Sequence, residues 1–162
     1  MRVSVAVQTP LAFPALHASH AGIWLATPDG PVRTVGKGEA VGRAAETPLV
    51  MLNAPLVAQR LGYAELSGLD LLELFALVQP ARFVVPTAKG LAGVLDMAAP
   101  ANDEAIAPFL LTAVQKLLAT LTDPTWAERE GAWDAAQNLA RVRWPWANVV
   151  ARYLAKPEKP ER

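Results

Sequence analysis

The chain predicts an α/β fold: a small mixed sheet, formed by an N-terminal hairpin plus one or more short strands with helices, followed by an all-helical C-terminal half. Three observations predict it. Pro28-Asp29-Gly30 is a strong turn signal between two stretches of strand character. The run Pro48-Leu-Val-Met-Leu52 is apolar and bounded by a proline and an asparagine, the pattern of a strand covered on both faces. Beyond Asn102 the apolar residues recur at helical spacing.

The elements follow in order. Residues 1–20 read as an N-terminal arm and 21–155 as a single domain, with an α/β part over 21–97 and a helical part over 102–155. Residues 21–27 and 31–35 form the hairpin, with Pro31 at a strand start or edge. Residues 38–45 read as a short helix, and Ala54–Leu61 as another closed by Gly62. Asp70 with Glu73 three residues later has capping-box spacing, and Leu71, Leu74, Phe75 and Val78 make one apolar stripe ended by Pro80. Thr87 is the expected cap of a helix that turns Leu91, Val94 and Leu95 inward.

In the helical half, Ile106, Leu110, Ala113, Leu117 and Leu121 share a face, with Asn102 or Asp103 as caps. Pro108 requires that helix to begin late or to kink. Residues 126–143 read as an amphipathic helix with Trp126, Trp133, Ala136, Ala140 and Val142 on its apolar side. Pro145 suits the first position of a last helix over 146–154. Residues 156–162 (KPEKPER) read as a linker.

Composition narrows the function classes. At 162 residues there is enough chain to bury a sizeable core, and 52% hydrophobic against 19% charged residues excludes a disordered segment. Fifteen basic and fifteen acidic side chains cancel, which argues against a dedicated nucleic-acid or anionic-membrane binder. With no cysteine there are no disulfides, iron–sulfur clusters or thiolate zinc sites. Residues 1–7 are too short an apolar run for a signal peptide, and no uninterrupted apolar stretch approaches a membrane span, so a cytoplasmic protein is expected.

Most local motifs have a plain structural explanation. Gly36-Lys37-Gly38 lacks the glycine frame and following hydroxyl of a phosphate-binding loop. Ser4, Ser19 and Ser67 have no placed histidine or acid. His17 and His20 fall on a loop ahead of the first strand, two ligands short of a tetrahedral zinc shell. Arg129, Arg141, Arg143 and Arg152 interleave with four tryptophans (Trp126, Trp133, Trp144 and Trp146) and are the candidate nucleic-acid or partner contacts. Trp126 and Trp133 share a helix face, so packing between the last helices accounts for the tryptophans.

Three stretches carry a resemblance: Leu49-Val-Met-Leu-Asn-Ala-Pro-Leu-Val57, Leu69-Asp-Leu-Leu-Glu-Leu-Phe-Ala-Leu-Val-Gln-Pro80 and Pro86-Thr-Ala-Lys-Gly-Leu-Ala-Gly-Val-Leu95. Together they resemble the N-terminal accessory region of alphaproteobacterial DinG-like ATP-dependent DNA helicases, relatives of the XPD superfamily-2 group. The resemblance runs from about Pro14 to the end, including Arg143-Trp-Pro-Trp-Ala147. It implies a helicase motor as partner in cis, with ATP and magnesium bound there and no cofactor or metal in this segment. DNA contact, if any, would be micromolar or weaker and salt-sensitive.

The same stretches resemble, more distantly, DnaQ-like 3′–5′ exonucleases of the ribonuclease H-like fold. Asn53-Ala54 matches their second motif and Asp70–Glu73 the segment after it. Two-metal hydrolysis needs several carboxylates converging on ions about 4 Å apart. The first strand, read as Ile23-Trp24-Leu25-Ala26, lacks the Asp-x-Glu pair, Val57 replaces the second motif's aspartate, and no last acid stands out near Asn102–Phe109. A non-catalytic remnant of that scaffold is therefore expected. Two rivals stand beside it. One is a divergent metal-dependent nuclease using Glu65, Asp70, Glu73, Asp96, Asp103 or Glu104. The other is a protein-interaction module that exposes Trp133 or Trp146.

Overall fold

A computed structural model describes residues 13–28, 30–66 and 68–154. Residues 1–12 of the arm, the turn residue Asp29, Ser67 and the linker at 156–162 lie outside the described residues. The described residues form a mixed sheet flanked by helices, in the order β1 (Ala15–Ser19), β2 (Gly22–Ala26), β3 (Arg33–Thr34), α1 (Lys37–Glu46), β4 (Val50–Met51), α2 (Ala54–Leu61), β5 (Leu69–Asp70) and α3 (Leu71–Val78). Four helices follow: α4 (Ala88–Val94), α5 (Asp103–Leu121), α6 (Arg129–Arg141) and α7 (Ala147–Tyr153).

The strand order is β3-β2-β1-β4-β5. β1, β2 and β3 are antiparallel neighbours, whereas β4 joins β1 in parallel and β5 joins β4 in parallel. The expected hairpin is the β2–β3 pair, with Trp24 opposite Thr34. The boundary expected at Ala21 is corrected: β1 lies inside the stretch read as an arm and is the central strand. A five-residue strand with an Ala-Leu-His-Ala-Ser sequence alternates too weakly to announce itself, and only its pairing on both sides makes it central.

Period-2 alternation divides the core between the two faces of the sheet. Ala15, Ala26, Val50 and Leu69 point toward α3 through α7, whereas Leu16, Ala18, Leu25, Leu49 and Met51 point toward α1 and α2. Gly68 allows β4 and β5 to close up, since a Cβ there would stand 2.6 Å from the Leu49 carbonyl oxygen. The α3 stripe of Leu71, Leu74, Phe75 and Val78 is buried as its spacing predicts.

α5 lies across the sheet and buries Leu110, Ala113, Leu117 and Leu121. By length and composition it could cross a membrane, but its apolar stripe packs into the protein's own core. Asn102 caps it, accepting from the Ala105 amide at 3.0 Å, so the helix does not begin late. Pro108 is accommodated inside it. α6 is shorter than expected. Ala132, Ala135, Ala136 and Leu139 make its inner face, while Ala140 is exposed and Val142, beyond the helix end, is 73% exposed. Pro145 precedes the α7 cap, Trp146, and is not the first helical residue.

Candidate functional site

Two polar clusters stand at the C-terminal ends of the parallel strands β1 and β5. The first gathers at the end of β1. His17 and Ser19 are two residues apart on one strand and therefore share a face. That face looks at the first turn of α5, where the Asp103 carboxylate takes a bond from each. His17 Nε2–H donates to Oδ1 at 3.1 Å, and the Ser19 hydroxyl donates to Oδ2 at 2.8 Å. The hydrogen bonds from His17 and then Ser19 hold the Asp103 carboxyl below the usual aspartate range. The His17 ring also stacks on Trp24, its neighbour on β2, with centroids 5.7 Å apart.

These three residue types are those of a serine hydrolase, but the connectivity differs. Nucleophile activation needs the serine hydroxyl on the imidazole and the carboxylate on the other ring nitrogen. Here histidine and serine both donate to the same carboxylate, so the aspartate ties α5 to β1 and the serine is not activated. Sequence reading placed His17 on a loop and gave Ser19 no acid. Both readings are corrected, because the partner lies 84 to 86 residues away.

On the opposite sheet face, beside the same strand end, is a cleft of about 650 Å³. Ser19, His20, Lys37, Gln59 and Arg60 supply its polar lining, and Ile23 and Leu56 its apolar wall. Arg60 donates to the Ala18 carbonyl at 2.6 Å, which fixes one arm of its guanidinium against β1.

The second cluster centres on Asp70, which is 6% exposed. One carboxylate oxygen accepts from the Asn53 amide at 3.1 Å and from the Leu72 amide at 3.0 Å; the other accepts from the Ala54 amide at 2.9 Å. Asp70 therefore caps α3, as its spacing predicts, and also holds the start of α2. Asn53 adopts the left-handed conformation at the α2 cap, a geometry that asparagine tolerates better than most residues. The Asp70 carbonyl accepts the Trp146 indole N–H at 2.8 Å, and Glu73 accepts that of Trp144 at 2.9 Å. The start of α3 thus anchors the C-terminal helices.

The acids considered for a nuclease do not form one centre. Asp70 is occupied by three amides and Asp103 by His17 and Ser19, while Glu104, beside Asp103 on α5, is exposed, as are Glu65 and Asp96 on two other segments. The candidate contact arginines also divide. Arg141, Arg143 and Arg152 are exposed around the α6–α7 corner, whereas Arg129 is half-buried. Trp146 is wholly buried and Trp126, Trp133 and Trp144 pack half-buried against the main core. Compared with known protein families, curated proteins and solved structures, the chain has no match.

Proposed function

We propose that this chain is a non-catalytic N-terminal accessory domain of an ATP-dependent DNA helicase, built on an inactive ribonuclease H-like scaffold. One observation carries the reading: what stands at the end of the central strand. A ribonuclease H-like scaffold joins three antiparallel strands to two parallel ones in the order seen here, and its first strand bears the metal-binding acids. In this chain that strand is β1, not the stretch around Trp24, and it presents His17-x-Ser19 in the Asp-x-Glu spacing.

Val57, where a third acid would stand, is buried in an apolar cluster. Asp103, the carboxylate that bonds to β1 among the described residues, is taken by the two residues replacing the acids. An imidazole and a hydroxyl do not gather two divalent cations as carboxylates do.

The helicase part of the reading rests on the three resembling stretches. They are neighbours in space: Asn53 and Ala54 bond to Asp70, and Leu91 shares a core with Leu71 and Leu74. In this reading the domain packs on a motor that binds ATP and magnesium in the cytoplasm. Its exposed Arg141, Arg143 and Arg152 are the contacts offered to that motor or, weakly, to DNA.

Two measurements test it. The purified chain with labelled single-stranded DNA and manganese is expected to leave the strand intact; degradation abolished by Asp103→Asn would overturn the non-catalytic reading. The native reading frame is expected to contain a P-loop helicase core after Arg162, and finding none would overturn the helicase parentage.

A further inference from the structure

The cleft beside β1 lies on the sheet face opposite the His17 and Ser19 side chains, and its lining is basic. Lys37, Arg60 and His20 face it, and among the described residues no carboxylate lines it. The side chains of Lys37 and His20 make no hydrogen bond or ion pair among the described residues. Glu39, two positions after Lys37, is committed to Arg33. The bond from Arg60 to the Ala18 carbonyl uses one N–H of five, leaving donors for an incoming anion.

We propose that this cleft binds a phosphate anion, carried by a nucleotide or by a nucleic-acid strand, without a metal ion. In a two-metal site the cations bridge acidic side chains and phosphate; here lysine and arginine supply the positive charge directly. Guanidinium matches phosphate geometry with paired N–H donors, and an ammonium contributes a point charge. Ile23 and Leu56 provide an apolar wall against which a sugar or base can rest, and Gln59 offers an amide at its edge. The cleft's volume falls in the range of small-molecule sites. Asp103 lies on the other side of the sheet and bonds to His17 and Ser19, not to Lys37 or His20, although its charge is felt at Arg60.

The test uses the full chain in EDTA, with three probes: a fluorescein-labelled oligothymidylate followed by anisotropy, and AMP and inorganic phosphate followed by calorimetry. Saturable, chelator-resistant binding is expected, weakened about tenfold by Lys37→Ala and by Arg60→Gln, as for loss of one charge-assisted contact. For the strand, the slope of log affinity against log salt should fall by about one with each removed cation. Tighter binding of the strand than of AMP assigns the phosphate to nucleic acid, and equal binding assigns it to a free nucleotide.

Arg60→Gln also removes the bond to β1, so Lys37→Ala, at an exposed position, keeps the test independent of folding. Failure of all three probes to saturate, binding abolished by EDTA, or affinity unchanged in Lys37→Ala would overturn the proposal. A reading frame without a motor core would remove the helicase parentage and leave this site standing. Absence of binding here would do the reverse.

Discussion

Asp70 and Asp103 do the same kind of work in different surroundings. Each stands at the start of a helix and spends both carboxylate oxygens on hydrogen bonds that join elements distant in sequence. Asp70 is buried and accepts three backbone amides, while its carbonyl holds the Trp146 indole. Asp103 has a side chain 36% exposed and accepts from two side chains that solvent can also reach. The difference is in what remains when the carboxylate is removed. Around Asp70, three part-buried amides lose their acceptor together. Around Asp103, the donors are two side chains that can rotate toward solvent. The Asp70 junction therefore holds the two halves together, and the Asp103 junction fixes the geometry at the end of β1.

Perturbing the two junctions tests that contrast, and the largest effect is expected at Trp146. Trp146→Ala empties a wholly buried site and frees the Asp70 carbonyl, so chemical denaturation should show a loss of about 3–5 kcal/mol. A loss below about 1 kcal/mol would mean that the helical half does not depend on this anchor.

Asp70→Asn comes next. The amide keeps one acceptor oxygen but turns an NH₂ toward backbone donors, and a loss of about 2–3 kcal/mol is expected in the same measurement. At the exposed junction, Asp103→Ala should cost about 1 kcal/mol, discounted because solvent replaces part of what is removed. Equal losses at Asp70 and Asp103 would dissolve the comparison.

The smallest effect is a pH dependence. The folded-state carboxyl of Asp103 is held below its unfolded value, chiefly by the bond from His17 and then that from Ser19. Its contribution is therefore fully present above the ordinary aspartate range and is lost as pH falls through the lowered folded value. The stability gap between the native chain and Asp103→Asn should narrow in that acid window. A gap that widens on acidification would contradict the assigned bonds. A flat gap across the whole range would mean that Asp103 does not stabilise the fold through its charge.

Local signals made much of the fold legible. The capping aspartate, the glycine after Leu61, the threonine before α4 and the asparagine before α5 act within three or four residues of themselves, and each holds where its spacing placed it. The stripe of α3 was readable because 3.6-residue periodicity survives in a short helix. β1 was not readable in this way. Its alternation is interrupted by a histidine and a serine that face the helical layer, and its strand character comes from two partners, one of them 35 residues away at Val50. Because β1 and not β2 is the first strand, the positions in the Asp-x-Glu spacing are His17 and Ser19 and not residues of Ile23–Ala26.

The sequence by itself determined the class of fold, the extent of most helices, the caps and the apolar stripes, because these depend on near neighbours and on burial preference. It also determined that the chain has no thiol chemistry, having no cysteine. Tertiary structure decided which strand is central, that one carboxylate serves both His17 and Ser19, and that Lys37, Arg60 and His20 meet at one cleft. It also turned the tryptophan cluster from a compositional oddity into an anchor, with Trp146 bonded to a residue 76 positions earlier. The physical reason is common to all of these. Hydrogen bonds and charges act over a few ångströms of space, and the chain distance between such partners is set only when the sheet pairs and the helices pack against it.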